Sequence, residues 1–86
     1  MRQVVDSPVS VTFSFNHYQR SAHPQKILWA GREYLVSRIG LHHTHRRGRT
    51  LYHTFSVVAS GHFFRLTLDT DNLFWQLEEV SDGLPE

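Results

Sequence analysis

Residues 50–80, TLYHTFSVVASGHFFRLTLDTDNLFWQLEEV, decide the fold. Leu51, His53, Phe55, Val57 and Ala59 share one parity, and Tyr52, Thr54 and Ser56 hold the other. That period of two is the mark of a half-buried strand. Ser60 and Gly61 form a compact turn, which makes strands of residues 50–59 and 62–69. With a two-residue loop there, opposing residue numbers sum to 121, so Val57 meets Phe64 and Phe55 meets Leu66. A second loop at Thr70 and Asp71 makes the next sum 141. Leu68 then meets Leu73, Leu66 meets Trp75 and Phe64 meets Leu77, in a last strand that runs to Val80. Every pair is apolar on apolar, whereas a one-residue slip sets Phe64 against Gln76. Residues 50–80 therefore read as a three-stranded antiparallel meander.

Upstream, Val9, Val11, Phe13 and Phe15 alternate with Ser10, Thr12, Ser14 and Asn16, giving a first strand with one wet face. A polar linker of residues 17–25 leads to a second strand at 26–30. A third strand begins near Glu33, after a Gly31-Arg32 loop of type II′. That loop sets Trp29 opposite Tyr34, Ile27 opposite Val36 and Leu28 opposite Leu35. The parity of Tyr34 and Val36 passes to Ile39 and Leu41 only through a bulge near Ser37 and Arg38, which bends the strand. Residues 42–49, HHTHRRGR, read as a loop. Pro8 and Pro24 are placed outside the strand cores, because proline lacks the N–H a ladder needs. No stretch has a helical stripe. The fold class is thus all-β, about six antiparallel strands in a meander. Its apolar face needs a cover. The sheet therefore curls into a small barrel or strongly bent sheet, and face-to-face stacking of two chains is the alternative.

The chain has 86 residues, which is one domain, 1–86, with a core of about 8–80 and a frayed tail at 81–86. Cysteine is absent, which excludes a disulfide scaffold, a thiolate metal site and a thiol nucleophile. No apolar run approaches the ~20 residues of a membrane span. The first residues alternate where a signal peptide would be continuously apolar, so the expected compartment is the cytoplasm. The net charge of +1 conceals an asymmetry: residues 17–53 carry net +6 and residues 54–86 net −5. Such a split serves an anionic partner, cross-strand pairing, or the meeting of two copies.

Certain landmarks occur in order: Pro8-Val9-x-Val11, Trp29-x-Gly31-Arg32-x-Tyr34-x-Val36, a basic insert, Phe55-x-Val57, Phe64-x-Leu66-x-Leu68-Asp69 and Trp75-x-Leu77-x-x-Val80-x-Asp82. Across residues 8–82 this order resembles a family of small bacterial β-domains of unknown function. In some actinobacteria similar segments sit near or behind translesion-type DNA polymerases. The resemblance implies one short β-domain with a link to nucleic-acid metabolism, and it brings no catalytic residue. The His-rich residues 42–45 depart from the family pattern.

Three constellations could carry function. His43 and His45, at i and i+2, put two imidazoles on one face of an extended chain, with His42 and His53 near in sequence or register. Imidazole suits zinc, copper or nickel, but a zinc site wants a third protein ligand and no HExxH occurs. The bland reading is a solvated polar loop. Arg46, Arg47 and Arg49 are the densest basic cluster. With Arg38 and the ring of Tyr52 (and Tyr18) they suit phosphates and stacked bases. Their bland reading is a solubilising tip, and a pI of 8.3 is below that of a dedicated nucleic-acid binder. Phe63 and Phe74 point away from the other aromatics, so they mark a partner surface or a second core face. Trp29, Tyr34, Phe55, Phe64 and Trp75 belong to the core. No GxSxG, P-loop or dinucleotide fingerprint is present, so no enzyme activity and no cofactor are expected. The first expectation is a protein-interaction or self-association module, as a homodimer or with a protein partner. The alternatives are a nucleic-acid-binding accessory domain and a His-rich metal-binding protein. No membrane partner is expected.

Overall fold

The computed structural model describes residues 2–82. Six strands follow in chain order: β1 (Arg2–Asn16), β2 (Ser21–Trp29), β3 (Arg32–Arg47), β4 (Thr50–Ala59), β5 (His62–Asp69) and β6 (Phe74–Asp82). Each pairs antiparallel with the next, and β1 pairs with β6 to close the ring. The closure is uneven. β2 and β3 pair only from Lys26–Leu35 to Trp29–Arg32, whereas β3 and β4 pair from Val36–Ala59 to Arg47–Thr50. The long strands β1 and β3 bend, each giving one half to either side of the ring. The sheet curls because its apolar face must leave water. Ile27, Val57, Ala59, Phe64, Leu66 and Leu77 are fully buried inside, with Phe55, Tyr34 and Val80 against them.

The β4–β5 ladder has the register read from sequence, with Val57 on Phe64 and Phe55 on Leu66. The β5–β6 ladder differs: Leu68 meets Trp75, Leu66 meets Leu77 and Phe64 meets Val80. The turn here is four residues, 70–73. Asp69 Oδ1 accepts from the Asp71 N–H at 2.9 Å, and Asn72 Oδ1 accepts from the Phe74 N–H at 2.9 Å. These Asx bonds favour the longer turn. Leu66 and Leu68 are displaced by two, which preserves the faces, and a bulge between Arg65 and Leu66 displaces Phe64 by three and brings Val80 inward beside Leu77.

The β2–β3 turn is Ala30 and Gly31, at φ 53° and 76°, not Gly31 and Arg32. Ile27 therefore meets Tyr34, and Trp29 meets Arg32. Two left-handed residues make a type I′ turn, whose twist matches that of the strands. The glycine-first turn occurs instead at Gly48 (φ 64°) and Arg49. The bulge expected near Ser37 is present, and the Ser37 hydroxyl donates to Val58 O at 3.2 Å. A second bulge falls at Gly40, where an added Cβ would sit 3.3 Å from Ser56 O.

Three further readings are corrected. Residues 42–47 are strand rather than loop, because each finds a partner on β4. Residues 21–25 likewise belong to β2, and residues 17–20 alone make the turn from β1, with Asn16 Oδ1 accepting from Tyr18 and Gln19. Pro8 and Pro24 lie inside strands, not outside them. Each sits where its strand has a partner on one side only, an edge position at which proline is tolerated. The strand start at Arg2 and the pairing of Ser81 with Phe63 extend the ladder beyond residues 8–80, and residues 83–86 of the expected tail lie outside the described residues.

Candidate functional site

On the outer face of the ring the pairings line up a cross-strand row: His45 on β3, Tyr52 on β4, Asp69 on β5 and Phe74 on β6. Directly paired residues share a face. The His45 and Tyr52 rings lie nearly parallel, 5.3 Å apart at 14°, and the Arg47 guanidinium sits 5.9 Å from the Tyr52 centroid. The row runs through a groove of about 310 Å³. His45 and Arg47 line its basic side, while Asp6, Asp69 and Glu78 line the acidic side. Below it, Thr54 and Thr67 are buried with their hydroxyls 3.3 Å apart, and the Thr67 hydroxyl donates to Glu78. Arg65 Nε lies 3.5 Å from Glu78 Oε1, which ties that carboxylate down. The Gln76 amide donates to Asp6 Oδ1 at 2.8 Å, across the irregularity of β1 between Val4 and Ser7, where Asp6 has φ 52°.

The arginines anticipated as one cluster are divided. Arg47 faces the groove and Arg49 occupies the adjoining turn. Arg46 pairs with Leu51 on the opposite face. Arg38 pairs with Val58, six residues along β4 from Tyr52, or roughly 20 Å at ~3.3 Å per residue. Among the described residues none of these four is in an ion pair, whereas Lys26 pairs with Glu33 and Arg65 with Glu78 and Glu79. Phe63 and Phe74 do share the outer face, but they stand at opposite ends of the β5–β6 ladder, against Ser81 and Asp69. Phe63 is half-buried beside Val58, and Phe74 is 71% exposed. They make two patches, not one.

The His43 and His45 rings share the outer face with centroids 6.2 Å apart. His42 and His53 occupy the opposite face, where His42 Nε2 lies 2.8 Å from His53 Nδ1. Two imidazoles thus sit on each face, and among the described residues no three His, Asp or Glu side chains gather as a metal-ligand set. The His42 ring lies flat on Phe55, 4.1 Å away at 5°, at the mouth of a 200 Å³ apolar pocket lined by Phe13, Ala22 and Leu68. Burial, then the charges of His53 and His43, hold the His42 pKa below the ordinary 6.5. The sequence sets His53 on the Phe55 face and His42 near it, but it groups both with His43 and His45, whereas the β3 bulges put His42 with His53 on the face opposite that pair.

No family model matches the chain, and neither the curated proteins nor the solved structures contain a match to it.

Proposed function

We propose that the chain is a binding module whose β3–β4 hairpin takes single-stranded nucleic acid. The supporting observation is the His45–Tyr52 stack with Arg47 beside it, on a hairpin whose arginines have no carboxylate partner among the described residues. Stacked rings offer a base a platform worth about 1–3 kcal/mol. Unpaired guanidiniums grip phosphate bidentately. The carboxylates of the groove suit base amino groups, since Asp and Glu accept from cytosine N4. A link to nucleic-acid metabolism, implied by the resemblance of the aromatic and glycine landmarks, points to the same partner.

The test is binding of a labelled single-stranded oligonucleotide across salt. The expected result is a log–log slope that is clearly negative, with Tyr52→Ala weakening binding at every salt concentration and Arg47→Ala making the slope shallower by about 0.7. A slope near zero between about 50 and 200 mM dismisses phosphate contact and with it this reading. A protein-interaction reading has one specific observation behind it: Leu73 and Phe74, 69% and 71% exposed, border a shallow groove with residues 8–11.

A further inference from the structure

Among the described residues four stretches of strand edge lack a ladder partner on one side, the first being β1 before Ser10 on its β2 side, which carries Asp6 and Pro8. β2 before Lys26 and β3 beyond Leu35 part where their short ladder ends. β1 beyond Val9 has no neighbour on its second side, because β6 begins at Phe74. Open edges template the addition of another strand, and proteins blunt them with charge, proline and bulges. The β2 edge carries Pro24. The β3 edge carries Arg38, Arg46 and Arg47 and both bulges. The β1 edge, residues 10–16, reads SVTFSFN and carries no charge and no proline. Its one irregularity is an extra residue on the β2 side. Among the described residues no backbone hydrogen bond outside the ladders reaches it. Phe13 and Phe15, on this segment, are 42% and 67% exposed.

We propose that residues 10–16 pair antiparallel with the same residues of a second copy, giving a two-fold dimer whose rings share one continuous sheet. The segment is complementary to itself about Phe13. Val11 falls opposite Phe15 of the second copy, Thr12 opposite Ser14, and Ser10 opposite Asn16. Apolar side chains meet on one face, hydroxyls and an amide meet on the other, and no like charges are opposed. A two-fold axis through Phe13 uses up both edges, so association stops at two. Leu73 and Phe74 border the groove at the start of this edge, where the second copy's turn after Asn16 arrives to cover them. The dimer goes beyond the nucleic-acid reading and gives the protein-interaction reading an occupant.

Sedimentation equilibrium of the whole chain, from micromolar to millimolar concentration, tests it. The expected mass is twice the 10.1 kDa of one chain. Thr12→Lys/Ser14→Lys opposes lysines across the axis and yields the monomer mass. Thr12→Lys/Ser14→Glu opposes lysine to glutamate and restores the dimer. Hydrogen exchange on the unaltered chain supplies a readout independent of any variant: amides within 10–16 slow as concentration rises. A chain that stays monomeric throughout overturns the proposal. So does a dimer indifferent to the two lysines, a lysine–glutamate variant as dissociated as the double lysine, or exchange at 10–16 that ignores concentration. Oligonucleotide binding through Tyr52 is read separately, so either idea can fail while the other stands.

Discussion

His42 answers to two surroundings at once. Its ring covers Phe55 at 4.1 Å, and its Nε2 shares a proton with His53 Nδ1 at 2.8 Å. Such a bond needs one N–H and one lone pair, so one of the two nitrogens must be unprotonated. Burial and the neighbouring imidazoles hold the native pKa below the 6.5 of the unfolded chain. Between those two values the unfolded state binds more protons, and stability falls as pH falls. The contribution is whole above 6.5 and is lost as pH drops through the lowered native value. His42→Phe keeps the stack and removes the titration. Calorimetry between about pH 7.5 and 5 should show a flatter Tm-against-pH curve for the variant; an unchanged slope would mean that His42 does not couple to folding. The sequence marks His53 by its parity with Phe55, but nothing local tells that His42 crosses from β3 to meet it, since that requires the bulges at Ser37 and Gly40.

Turns and bulges set what each element presents. The parity change between Val36 and Ile39 exposes the first bulge in the sequence itself. The second, at Gly40, has no side chain to declare a face, so only the ladder reveals it. Counting both, Leu41, His43, His45 and Arg47 come to the outer face, and His42, Thr44 and Arg46 to the inner one. The β2–β3 turn holds a non-glycine residue, Ala30, at φ 53°. A Cβ in that region costs about 1–2 kcal/mol, and Asn tolerates it better. Asn-Gly is the favoured type I′ pair, so Ala30→Asn should raise stability by about 0.5–1 kcal/mol, read from the urea midpoint at constant m. Were the turn at Gly31 and Arg32, Ala30 would be ordinary strand and the change would destabilise.

At the scale of the whole molecule, the ring is held by its interior. Phe64 lies at the centre, 4.9 Å from the Tyr34 ring and 6.4 Å from Trp29, with no exposed surface. Phe64→Ala should cost about 3–5 kcal/mol, a large part of what a domain this size has. Phe74→Ala, at a side chain 71% exposed, should cost no more than about 0.5 kcal/mol in the monomer. Urea unfolding of both variants checks the contrast, and equal losses would show that Phe74 is part of the core.

Strand number, the turn at Ser60 and Gly61, and the inward identity of Phe55, Val57, Phe64, Leu66 and Leu77 follow from the sequence alone. Side-chain parity and turn chemistry are local, and a two-residue change in a loop leaves the faces untouched. The pairing partners of β6, the division of Arg38, Arg46, Arg47 and Arg49 among separate places, and the His42–His53 bond come only from the folded ring. Those depend on bulges and on where one ladder stops, and these in turn depend on how far the sheet must bend to meet its own first strand.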